Sequence, residues 1–90
     1  MVEVVWTAPA LASLSEITTY IEAFSPLAAQ RMAGRLRTAG DSLGDQPLRG
    51  RATRRGRREL VAVRPYVITY IVTDGVVEII DIRHGARLPD

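Results

Sequence analysis

Seven arginines crowd into one stretch of the chain, Arg49, Arg51, Arg54, Arg55, Arg57, Arg58 and Arg64, with Glu59 as the sole acid among them. The stretch carries +6, while five arginines against nine acids leave the other seventy-four residues at −4, so a total of +2 conceals a strong separation of charge. Guanidinium groups are planar, permanently charged forks that match carboxylate and phosphate oxygens two at a time. Residues of this type at this density predict a surface that recognises an anion. The other side chain with chemistry near neutral pH is His84, the only histidine.

Composition limits what can surround these groups. Ninety residues make one domain with one core, spanning residues 1–90. An apolar content of 47% with 24% charged residues is that of a folded soluble protein and not a disordered one. Cysteine is absent, which removes disulfides, thiolate zinc sites and cysteine nucleophiles and fits a reducing compartment. Neither a metal nor a cofactor is expected. No window approaches the roughly 18 to 20 apolar residues of a membrane span, and the N-terminus has no basic leader, so a cytoplasmic protein with no membrane contact is expected. All twelve basic residues are arginine, which fits phosphate recognition and equally a GC-rich genome.

The elements that position the arginines follow from periodicity. Val2, Val4 and Trp6 alternate in period two and predict a strand. Thr7 offers a capping hydroxyl, Pro9 suits a first turn, and Leu11, Leu14, Ile17, Ile21 and Phe24 line one face of a first helix. Ser25 and Pro26 end it and cap a second, whose apolar side is Ala29, Met32, Leu36, Ala39 and Leu43. Gly34 and Gly40 each weaken that helix by about 1 kcal/mol relative to Ala, which calls for close packing or a frayed end. From Gly44 to Gly56 there is no apolar periodicity, and a mobile exposed loop is expected. Glu59 to Val63, Tyr66 to Val72 and Val76 to Ile82 read as a three-stranded antiparallel meander.

The turn between the last two strands suggests a register, which a bulge or a three-residue loop would shift. With Asp74-Gly75 as a two-residue turn, Thr73 faces Val76, Tyr70 faces Ile79, Ile68 faces Asp81, Tyr66 faces Arg83 and Pro65 faces His84. Val67, Ile71, Ile80 and Ile82 then share one face, and Ile68, Tyr70, Val72, Val77 and Ile79 the other. A helix hairpin covers only one of them. The second predicts an exposed apolar binding surface.

Local motifs in this order resemble a known family. Trp6-Thr7-x-x-Ala10, Tyr20-Ile21, Ser25-Pro26-x-Ala28-Ala29, Pro47-x-x-Gly50-Arg51, Arg58-Glu59-Leu60-Val61, Tyr66-x-Ile68-x-Tyr70 and His84-Gly85-Ala86-Arg87 are similar to the ordered signature of the RelE/ParE toxins of bacterial toxin–antitoxin modules. The resemblance covers essentially the whole chain. It implies an α+β fold of order β-α-α-β-β-β, with a helical hairpin packed on a mostly antiparallel four-stranded sheet. It also implies an antitoxin partner whose acidic tail wraps over the toxin.

The resemblance leaves two targets. RelE-type toxins cut mRNA in the ribosomal A site, and ParE-type toxins inhibit DNA gyrase. Metal-free RNA cleavage needs an acid, a base and cations on the phosphorane. In that reading His84 is the acid or base, with Arg58, Arg64, Arg83 and Arg87 as phosphate clamps. The C-terminus favours gyrase, because RNA-cleaving relatives commonly carry a tyrosine after the last strand and none follows Tyr70. In either reading the resemblance implies that Arg49, Arg51, Arg54, Arg55, Arg57, Arg58, Arg83 and Arg87 bind antitoxin or target. A third reading is a general nucleic-acid-binding domain with steeply salt-dependent affinity. Plainer roles compete: Trp6, Tyr66 and Tyr70 as packing residues, His84 and Arg58 as structural ones, and the loop arginines as a solvated face.

Overall fold

The computed structural model describes residues 1–85. Strand β1 (Glu3–Trp6) ends at Thr7, whose hydroxyl donates to the Ile79 carbonyl at 2.7 Å and accepts from the Ala10 N–H at 3.4 Å. One side chain thus closes the strand and opens helix α1 (Ala8–Glu22), with Pro9 in the first turn where its missing N–H costs nothing. Ser25 repeats the device: its Oγ accepts from the Ala28 N–H at 3.1 Å, and Pro26 is the first residue of helix α2 (Pro26–Asp41). Leu36 on α2 and Leu43, which lies in the 3-10 turn after it (Ser42–Gly44) rather than on the helix as expected, are fully buried, each contributing about 1.5–3 kcal/mol. Helix α1 is held less deeply. Only Ala10 is fully buried on it, Leu14, Ile17 and Ile21 are half-buried, and Leu11 and Phe24, expected on the covered face, are exposed.

The sheet has five strands rather than the expected four, in the order β1-β5-β4-β3-β2. The addition is a short edge strand, β2 (Arg51–Ala52), paired antiparallel with β3 (Arg57–Val63) inside the segment expected to be loop. Strands β4 (Tyr66–Thr73) and β5 (Val76–His84) complete the antiparallel meander, and β1 joins β5 in parallel. Near the turn the expected register holds, from Thr73↔Val76 to Tyr70↔Ile79. It then slips by one residue between Thr69 and Tyr70, so that Ile68 faces Ile82, Val67 faces Arg83 and Tyr66 faces His84.

That bulge overturns part of the predicted face assignment. An extra residue on β5 turns Ile82 from the outer face to the helix side, opposite Ile68, where it is buried. A second irregularity on β3, between Leu60 and Val63, likewise brings Val63 into the core beside Leu60. Each bulge adds one apolar side chain to the face under the helices. The outer face is therefore less apolar than expected, with Glu59, Arg83 and Glu78 interspersed among Val67, Thr69 and Ile71.

Much of the segment from Gly44 to Gly56 is tethered rather than mobile. The buried Tyr70 hydroxyl donates to the Pro47 carbonyl at 2.8 Å and accepts from the Gly50 N–H at 2.7 Å. Gly50 is needed there, since a Cβ would sit 2.6 Å from the Tyr70 ring and hydroxyl. Arg58, on the same face of β3 as Tyr70 is of β4, donates to the Gly50 carbonyl at 2.8 Å. The Pro47-x-x-Gly50 spacing is thus a loop wrapped on one tyrosine.

Candidate functional site

Glu59 organises the arginines on the outer face of the sheet. Its two carboxylate oxygens each accept from a guanidinium at 2.8 Å, Oε1 from Arg51 on β2 and Oε2 from Arg83 on β5. Glu59 faces Thr69 and Arg83 faces Val67 across β4, so the second ion pair spans that strand and buries Thr69 and Val67 beneath it. Burial pushes the Glu59 carboxyl up, but hydrogen bonds and charge from Arg51 and Arg83 outweigh it together and hold the group below the ordinary glutamate value.

The other predicted site residues are dispersed by the pleat. Arg58 points to the helix side and is committed to the Gly50 carbonyl, with a longer contact to the Leu48 carbonyl at 3.4 Å. His84 pairs with Tyr66 on that side, the rings meeting edge to face at 5.8 Å, whereas Arg83 points to the other. Arg64 lies in the β3–β4 turn, and the adjacent Pro65 carbonyl accepts from the Gly85 N–H at 2.7 Å, so the turn and the end of β5 are neighbours as expected. Arg87 lies outside the described residues. Arg54, Arg55 and Arg57 are exposed at the β2–β3 connection, and Arg49 reaches back to Ser42 Oγ at 3.0 Å. Trp6 packs on Gly40, donates from Nε1 to Asp41 Oδ1 at 2.9 Å and lies 5.1 Å beneath the Arg37 guanidinium, an anchoring role. Among the described residues there is no cluster of metal-ligating side chains, and no helix is long and apolar enough to cross a membrane.

The sequence reading missed a second basic surface. An open groove of about 670 Å³ runs between α2 and β3, lined by Arg31, Arg35, Arg49, Thr38, Gly34 and Val63 among others. Gly34 leaves open space within it, and the neighbouring Val61 is half exposed. Strand β2 pairs with β3 at Arg58 and Glu59, so among the described residues the outer edge of β3 beyond them has no strand neighbour. The signal was present in α2, where Arg31, Arg35 and Arg37 precede its only acid, Asp41. By periodicity alone those arginines fall on the polar side of an amphipathic helix, which reads as solvated.

Comparison with known proteins places this architecture. Residues 4–89 match the family described as ParE toxin of type II toxin-antitoxin system, parDE. The chain belongs to the ParE toxin family. It is 61% identical over 88 residues to Toxin RelE2 of Caulobacter vibrioides, covering 98% of this chain and all of that protein. It is 44% identical over 82 residues to Y4kP of Sinorhizobium fredii, covering 89% of this chain and 84% of the relative. Among solved structures, the chromosomal ParDE TA system from P. aeruginosa superposes with a TM-score of 0.81 at 24% identity, over 93% of this chain and 96% of that one, which shows the shared fold. The protein is thus a ParE/RelE-type toxin of a type II toxin–antitoxin module, and such a module implies an antitoxin partner.

Proposed function

We propose that this ParE-family toxin acts in the cytoplasm by binding and inhibiting DNA gyrase, and that its antitoxin holds it inactive by covering the groove between α2 and β3. The observation that carries the target is the commitment of the arginines. Arg58 is bonded to loop carbonyls, Arg83 is paired with Glu59 on the opposite face, and His84 packs edge-on against Tyr66. A general acid or base and phosphate clamps must converge on one phosphate to cleave RNA. Arg58 and His84 share the helix side but are held by a loop carbonyl and against Tyr66, and Arg83 leaves by the opposite face.

The groove supports the antitoxin assignment by its chemistry. Arg31, Arg35 and Arg49 offer charge to an acidic tail, Ala62 and Val63 offer apolar contact, and the β3 edge offers backbone groups to an added strand. A second reading, ribosome-dependent mRNA cleavage, draws on the name RelE2 carried by the Caulobacter relative. Expression without antitoxin separates the two. Inhibited supercoiling with DNA breaks and intact mRNA is the expected result, whereas cleaved mRNA on ribosomes with unimpaired gyrase would overturn the assignment. Hydrogen exchange with and without antitoxin tests the groove. Added protection is expected along α2 and at Leu60 to Val63, and its absence there removes that placement.

A further inference from the structure

The connection between β2 and β3 is an ordered basic tip, not a loose end. The Thr53 N–H and Oγ1 both donate to the Arg57 carbonyl, at 2.8 and 3.1 Å, closing the reversal. Within it Arg55 (φ 60°) and Gly56 (φ 71°) are consecutive left-handed residues. Glycine adopts that conformation without penalty, but an arginine held there costs on the order of 1 kcal/mol, and strain of this kind collects at binding sites. Among the described residues Arg54, Arg55 and Arg57 have no acidic partner, because Glu59, the one acid of the segment, is occupied by Arg51 and Arg83. The tip is fixed in shape and its charge is uncommitted.

We propose that Arg54, Arg55 and Arg57 form a phosphate-contacting corner that binds the backbone of a nucleic-acid duplex, separately from the groove assigned to the antitoxin. An acidic peptide is the less fitting occupant. A peptide that orders on binding must bury apolar side chains to offset its lost entropy, and the tip offers Ala52, Thr53 and Gly56 beside its arginines, with the half-buried Ile71 opposite Arg57 adding little more. Phosphate oxygens need no apolar floor. The preformed turn fixes the backbone in advance, and each guanidinium fork makes two bonds for the side-chain freedom it gives up. The contact positions the protein on a duplex without reading bases, since the tip is a single 3-10 turn (Arg54–Gly56), too short to lie in a groove as a reading helix.

The test is the salt dependence of binding of the full-length toxin to short DNA and RNA duplexes, measured by fluorescence anisotropy. Three neutralised phosphates contribute about −2.7 to the slope of log affinity against log salt, or about 40-fold over a fourfold rise in salt. The combined variant Arg54→Gln, Arg55→Asn, Arg57→Gln should lose that component. A control removing the same charge from α2, Arg31→Gln, Arg35→Gln, Arg37→Gln, should keep it. Binding of either duplex with this asymmetry supports the corner; failure of both duplexes, or equal loss from the two variants, overturns it. On the unaltered protein, phenylglyoxal modification read by mass spectrometry should show Arg54, Arg55 and Arg57 shielded by duplex. Shielding of these three by a poly-glutamate peptide and not by duplex would also overturn it.

Discussion

At the scale of single residues, Tyr70 and Glu59 do the most to convert a basic sequence into a shaped surface. Tyr70 is buried yet satisfies two backbone groups of the preceding loop, the Gly50 N–H and the Pro47 carbonyl. Tyr70→Phe leaves both without that partner and should cost about 2 kcal/mol, measured by urea denaturation. A loss confined to a few tenths would mean that water replaces the hydroxyl. Glu59 makes a pH-dependent contribution. Because its carboxyl is held below the ordinary 4.5, the stability it adds is fully present above that value and is lost as pH falls through the lowered folded value. Wild type should therefore lose stability over that acid range more steeply than Glu59→Gln, which is less stable at pH 7 by about 2 kcal/mol. Parallel pH profiles for the two proteins would exclude this linkage.

At the scale of elements, the two helical glycines of α2 have opposite reasons to exist. Gly40 lies against Trp6, where a Cβ would overlap the indole ring and approach Ile79 Cδ1 within 2.8 Å. Gly34 meets nothing within 4 Å. Gly34→Ala should stabilise the toxin by about 1 kcal/mol through helix propensity, and Gly40→Ala should destabilise it despite the same propensity gain. Thermal melts of the two variants shifting in the same direction would contradict this packing. The bulge on β5 is equally consequential, because it decides that Ile82 serves the core while Arg83 reaches Glu59 on the far side.

At the scale of the whole molecule, charge is divided between two basic regions with different surroundings. The groove of α2 and β3 has arginines next to Ala62 and Val63, suited to a peptide, and the β2–β3 tip has arginines with little apolar surface beside them beyond the half-buried Ile71. Removing charge from the groove with Arg31→Gln and Arg35→Gln should weaken antitoxin binding by about tenfold or more while growth inhibition persists, read by calorimetry and by growth without antitoxin. Unchanged antitoxin affinity would move the partner elsewhere.

The sequence by itself determined the helices, the meander and the family resemblance, because these rest on local regularities: Thr7 and Ser25 as caps, period-two apolar runs, and Asp74-Gly75 as a turn. It also located the arginine-rich stretch. Only the tertiary structure decided what each arginine does. Whether Arg58 meets a carbonyl, Arg83 a carboxylate or Arg57 solvent depends on the pleat, on two single-residue bulges, and on an edge strand too short to have a recognisable period. Those are relations between segments distant in the chain, and a one-residue slip reverses the face on which a side chain emerges.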